Sequence, residues 1–292
     1  MFIDIHVHLR KRPGFPRDWD GASYPSPAEL LAVYDRLGID KGVVLAAASP
    51  ECCHVPQSFE ELLEICNGSG GRLIPFVNCD PRFLSNSADA PLEKFLAYYR
   101  ERGCRGVGEV TANMPFGHPM VENLFRATQE VGLPLTFHIG PQVGGCYGLV
   151  DEPGLPGLEA ALKKFPKLTF LGHSQPFWAE IGPLEKPGDR GGYPTGPVQS
   201  PGRVVELMRR YPNLHGDLSA KSGWNALARD EDFAPAFLEE FQDRLYFGTD
   251  LTGAAQEVRQ VGYFNGLREA GKISGEVFEK IARGNALRLL GL

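Results

Sequence analysis

The sequence predicts an α/β chain folded as one (β/α)8 TIM barrel, a single domain over residues 1–292 with closing helices at its C-terminus. Three observations carry this. Eight short apolar, β-rich runs recur along the chain, and segments with apolar residues three and four apart separate them. Alternating strand and helix implies a parallel sheet covered by helices, and the count of eight favours the closed form. The glycine signatures that would support an open nucleotide-binding sheet, GxGxxG and GxxxxGK[ST], are absent.

The runs read as strands are FIDIHV (2–7), GVVLAA (42–47), LIPFVN (73–78), GVGEVT (106–111), LPLTFHI (133–139), LTFLGH (168–173), LHGDLS (214–219) and LYFGTD (245–250). The first helix starts after Ser26, with Pro27 at the first helical position, and stops at Gly38. The second starts at Ser58, with Glu61 three residues on as a capping box. PLEKFLAYYRERG, MVENLFRATQEVG, GLEAALKKFP, PGRVVELMRRYP and FAPAFLEEF repeat the pattern, and residues 273–292 read as one or two closing helices. Long Gly- and Pro-rich loops follow the first, fifth and sixth strands, at residues 9–25, 140–154 and 174–199. In a barrel such loops build the rim of the active site. The longest carries enough aromatic and charged residues to act as a lid or specificity wall.

Composition narrows the function. With 42% hydrophobic and 10% aromatic residues the chain has ample material for a core of this size. A net charge of −6 offers no basic surface for nucleic acid or anionic membrane, so a small molecule is the expected partner, and a homodimer is allowed. There is no basic leader and no long apolar run, which predicts a cytoplasmic protein. The six cysteines form neither a dense disulfide framework nor a CxxC zinc pair, so reduced thiols are expected. Vicinal Cys52 and Cys53, beside His54, are the one pair with a weak metal or redox alternative.

Alternation in the first strand turns His6 and His8 to one face, with Asp4 below them. Alone, such a pair is as readily a pair of core histidines as a metal site. The fifth, sixth and eighth strands, however, end in His138, His173 and Asp250. Four histidines and an aspartate at four strand ends form a ring around one point, a donor set suited to zinc or another divalent ion.

This pattern of HxH, His, His and Asp resembles the amidohydrolase superfamily. FPKLTFLGHS, YPNLHGDLS, RLYFGTD and IARGNALRLLGL resemble its amidohydrolase-2 branch, which includes decarboxylases related to aminocarboxymuconate semialdehyde decarboxylase. The resemblance implies that His6, His8, His138 and Asp250 bind one divalent ion, usually zinc. His173 then stands beside the activated water, with Asp250 also able to take its proton. Glu109 in GVGEV is open between a ligand, which would allow a second metal, and a buried partner elsewhere.

Further candidates have competing structural readings. Asp217 and Ser219 end the seventh strand and either reach the cavity or bond local backbone. Arg10 suits a substrate carboxylate, yet it and Arg12 could equally be solvated. His54 and His118 are weaker pocket candidates, and His215 reads as structural. Phe177, Trp178 and Tyr193 would cover an apolar substrate or pack the loop down. The main functional expectation is a metal-dependent hydrolase of an amide, ester or lactone, and the alternative is a nonoxidative decarboxylase of an unsaturated or aromatic acid. A decarboxylase needs a cation such as Arg10 in the cavity. A TatD-like two-metal phosphoesterase and a non-catalytic metal-binding barrel are the lesser readings.

Overall fold

A computed structural model describes residues 1–12, 14–16, 21, 23–52 and 56–292, without the side chain of Pro187. Its strands are β1 (Phe2–Val7), β2 (Ile39–Leu45), β3 (Leu73–Phe76), β4 (Val107–Val110), β5 (Leu135–Gly140), β6 (Leu149–Val150), β7 (Phe170–His173), β8 (Leu214–Asp217) and β9 (Leu245–Tyr246). All pairings are parallel, in the runs β1-β2-β3 and β4-β5-β7-β8-β9. Parallel bridges Val77 to Val107 and Val7 to Leu251 join the two runs into a closed barrel, as expected for a TIM fold.

The differences from expectation have local causes. β6 is an extra two-residue strand inside the predicted loop 140–154, pairing with Ile139 and Gly140 at the tip of β5. β9 ends early because the backbone beyond Tyr246 turns to serve β1: Phe247 accepts from the Ile5 N–H, and the Asp250 N–H donates to His6. β2 starts earlier than predicted: Asp40 and Lys41 interrupt its apolar pattern, but Ile39 and Lys41 pair with Phe2 and Ile3 across a register shift at Asp40.

Helix starts follow their caps. α1 (Pro27–Leu37) has a full capping box between Ser26 and Glu29, which the sequence reading had not singled out. At α2 (Phe59–Asn67) Ser58 accepts from the Glu61 N–H, but the Glu61 carboxylate bonds the Lys11 N–H at 2.8 Å instead of returning to the cap. That half of the expected box therefore ties the first loop to α2. α3 (Leu92–Glu101), α4 (Pro119–Val131) and α5 (Pro156–Lys164) continue the outer layer. His118 is not a pocket residue: it caps α4, its Nδ1 accepting from the Met120 N–H.

The long loop contains the short helix α6 (Gln175–Ala179) and is followed by α7 (Arg203–Arg210), α8 (Ala220–Ala228), α9 (Phe233–Glu240) and α10 (Arg259–Glu269). Phe177 and Trp178 on α6 are core residues rather than a lid, at 0% and 1% exposure. Two glycines make this possible: a Cβ on Gly172 would lie 2.3 Å from the Phe177 ring, and one on Gly216 would lie 2.8 Å from Trp178.

The closing helices form as α11 (Gly275–Glu279), a π turn and α12 (Asn285–Leu290). Ala286 and Leu290 of α12 pack with Ile3, Ile5, Val43, Leu45, Ile74, Phe76 and Leu171, stoppering one end of the barrel. Among the described residues no helix is long and apolar enough to cross a membrane. Cys66, Cys79 and Cys104 are free and buried, which pushes their thiols up and leaves them unreactive.

Candidate metal centre

The other end of the barrel gathers His6, His8, Glu109, His138, His173, Asp217 and Asp250. Ring geometry fixes which histidine nitrogens are available. The His8 Nδ1 lies 2.8 Å from the Leu45 carbonyl, which can only accept, so the proton sits on Nδ1. The His6 Nδ1 lies 2.6 Å from the Asp217 Oδ2 and donates to it. Both Nε2 lone pairs therefore point inward, 3.1 Å apart, with no proton of their own to bridge them when the rings are neutral.

Two carboxylates converge on the same point. The Glu109 Oε2 is 3.6 Å from both Nε2 atoms, and the Asp250 Oδ1 is 3.6 Å from that of His6 and 3.3 Å from that of His8. Donors about 2.0–2.2 Å from a tetrahedral zinc are roughly 3.3–3.6 Å apart, so the spacing and the donor types fit such an ion. The charge balance agrees. Burial alone would lower the His8 pKa, but hydrogen bonds with Asp250 and Glu109 lift it to about 9. His6 is also raised despite burial, chiefly by the Asp217 charge. Groups that hold a proton this firmly provide equivalent attraction for a divalent cation.

His138 meets this cluster through Glu109, its Nδ1 lying 2.7 Å from the Oε1. His173 forms a second group with His6 and Glu109, their ligand atoms all within 4.8 Å of one another. Its Nδ1 is 3.0 Å from the Ser219 Oγ, and its Nε2 is 3.8 Å from both Glu109 Oε1 and Asp250 Oδ2. Burial and the neighbouring His6 charge lower its pKa, so it stays neutral near pH 7. Asp217 does not line the cavity: its Oδ2 meets the His6 ring from behind while its Oδ1 accepts from the local Ser219 N–H at 3.0 Å, and the Trp178 Nε1 donates to its backbone carbonyl at 2.9 Å. Trp178 thus supports the centre from behind, buried and outside the lining of the cavity.

Asp4 does not share the face of the histidines. Register between β1 and β2 shifts between Asp4 and Val7, and the Asp4 carboxylate instead accepts from Tyr34 on α1 and from Thr249. His215 is structural as expected, stacked on Tyr246 with its Nδ1 2.8 Å from the phenol oxygen. His54 and Cys53 lie outside the described residues. Cys52 lines the cavity and accepts from the Thr111 hydroxyl at 3.0 Å.

A cavity of about 390 Å³ opens over the centre. Tyr193 lines it as the long-loop reading allowed, and the Gln175 Nε2 donates to its hydroxyl. Tyr24, Tyr147, Lys221 and Ser222 also line it, and sequence reasoning missed all four. The only signal for the last pair was their place just after the LHGDLS run. Arg10 lies in a side cleft with Tyr24 and Gln57, its guanidinium 5.5 Å from the Tyr24 ring centre, and does not line the main cavity. Arg12 is exposed.

A family model described as amidohydrolase matches residues 3–292. Among solved structures, an amidohydrolase from Burkholderia multivorans with bound Zn aligns at TM-score 0.63 and 15% identity, covering 100% of this chain and 99% of that one. A probable 2-pyrone-4,6-dicarboxylic acid hydrolase from Acinetobacter baumannii, with citric acid bound, aligns at 0.60 and 13%, covering 100% and 99%. The 2,6-dihydroxybenzoate decarboxylase from Rhizobium aligns at 0.59 and 15%, covering 99% and 98%. At these identities the likeness establishes the fold. No curated protein matches the chain.

Proposed function

The chain belongs to the amidohydrolase family, and we propose that it hydrolyses a small carbonyl substrate (an amide, ester or lactone) with the help of one divalent ion, most simply zinc. The observation that carries this reading is the convergence of two histidine Nε2 atoms, each with its ring's Nδ1 already engaged elsewhere, with two carboxylates. His6, His8, Asp250 and Glu109 would hold the ion, and His138 would keep Glu109 in place. Two groups of residues have ligand atoms close enough to hold an ion, His6 with His8 and Asp250, and His6 with Glu109 and His173; we take one seat centred on His6, with His173 left free as the base. A bound divalent ion supplies Lewis acidity, polarising a carbonyl and bringing the pKa of water to about 7.

The protein's own residues handle orientation and protons. Asp217 fixes the His6 ring, as the Leu45 carbonyl fixes that of His8. The neutral His173 takes a proton from the attacking water at Nε2 and returns it to the leaving atom, while Ser219 holds its Nδ1. Asp250 faces the same space and is a second acceptor for the water proton.

Hydrolysis is favoured over decarboxylation because Arg10 lies in a side cleft, and the lysine that lines the cavity, Lys221, stands at its side, shared with an adjoining cavity and not among the groups that gather around the two Nε2 atoms. The test combines elemental analysis with turnover of ester, lactone, amide and carboxylic acid panels in ¹⁸O water. We expect about one metal per chain and ¹⁸O in the product without CO₂. Release of CO₂ with no ¹⁸O would assign the decarboxylase alternative; two metals per chain would make Glu109 a bridge. A metal-loaded protein inert to every panel would favour a binding role.

A further inference from the structure

Lys221 and Ser222 form the first turn of α8, directly after the strand end that carries Asp217. The first N–H groups of a helix lack intrahelical acceptors and need a cap or a ligand. Here the capping position is Ser219, but its hydroxyl is directed to His173 and makes no cap bond. The Ala220 N–H reaches the Thr249 carbonyl, whereas those of Lys221 and Ser222 have no acceptor among the described residues.

A second, independent observation lies beside them. Ser222 is 4% exposed and lines the cavity, yet its Oγ has no hydrogen-bond partner. Leaving a buried hydroxyl unpaired costs about 1–3 kcal/mol, so its retention here points to a ligand that satisfies it. Lys221 adds charge: it is the one lysine or arginine lining the cavity among the described residues, its Nζ 4.3 Å from the Tyr193 ring centre.

We propose that the first turn of α8 is a carboxylate-binding subsite, made by the Lys221 ammonium, the Ser222 hydroxyl and their backbone N–H groups. The substrate would then be an acid whose carboxylate remains in the product; that extension rests on the hydrolase reading, while the anion site itself does not. Position supports recognition rather than chemistry. Ala220 and Lys221 also line an adjoining cavity of about 280 Å³ with Trp224 and Arg259, which places the anchor at the side of the main cavity. A monoanion fits better than phosphate, because one lysine must offset the added charge in a cavity that already holds Glu109 and Asp250.

The experiment is a titration of the ¹⁵N-labelled protein, as purified with its native metal, with sodium acetate, acetamide or inorganic phosphate, read at the amide resonances. Acetate should give saturable shifts at Lys221 and Ser222, with acetamide giving none and phosphate binding more weakly. Lys221→Met and Ser222→Ala should each weaken acetate at least tenfold. Ser222→Ala should leave the melting temperature unchanged or raised, since no partner is lost. Absence of saturable acetate shifts, equal affinity in Lys221→Met, tighter binding of phosphate, or a melting point several degrees lower in Ser222→Ala would each overturn the assignment. Failure of the hydrolase reading would show in metal content and turnover, leaving the acetate titration intact.

Discussion

The two ends of one barrel have opposite chemistry. At one end Ile3, Ile5, Val43, Leu45, Ile74 and Phe76 close on Ala286 and Leu290 of α12, whose neighbour Asn285 donates to the Leu245 carbonyl. A few residues along the same strands, buried histidines and carboxylates face one another at separations that only a cation or protons make tolerable. The hydrophobic end supplies the stability that the charged end draws on. Changes at the two ends should therefore separate into losses of activity and losses of stability.

The largest expected effect tests the charged end. His6→Ala or Asp250→Asn should lower kcat/KM by about a thousandfold or more, within the range for acid–base and metal groups, while circular dichroism and the melting profile show a folded protein. Retained turnover in either variant would remove these residues from the centre. Leu290→Ala tests the other end: a large-to-small change in the stopper should cost about 2–5 kcal/mol in denaturant unfolding. Its kcat at temperatures where it is folded should be unchanged; a parallel loss of kcat would mean that the ends are mechanically coupled.

Asp217→Asn is a smaller change that sharpens the boundary, since Asp217 contacts His6 without facing the ion. It should weaken metal affinity about 10–100-fold, measured by competition with a chelator. The pH profile is subtler. Burial and the His6 charge keep the His173 pKa below 6.5, so the base form persists at neutral pH. Activity should thus fall as pH drops below that value and His173 gains a proton, and the limb should be lost from the residual rate of His173→Gln. Ser26→Ala, at the α1 capping box, should cost only about 1 kcal/mol of stability.

Most of this organisation is legible in the chain. The eight-run alternation defines the barrel because strand and helix periodicities are local properties, and each buried face imposes its own spacing. His6, His8, His138, His173 and Asp250 stand out because barrel strands deliver their C-terminal residues to one rim, so that strand-end position encodes proximity. What depends on distances between strands is not encoded in this way. Glu109 could be placed on its strand, but only the fold turns its Oε2 toward His6 and His8 and its Oε1 toward His138. Trp178 and Phe177 stay open between lid and core in the sequence because their hydrophobicity is equally good for either; Gly172 on β7 and Gly216 on β8 decide for the core. Lys221 and Ser222 carry no motif at all. Their meaning arises where Ser219 is drawn to His173, leaving the helix end beside them uncapped. The sequence by itself determined the barrel and the ring of donors, through local periodicity and strand-end position. Tertiary structure alone decided which atoms face one another, because hydrogen bonding and packing between distant segments set side-chain direction.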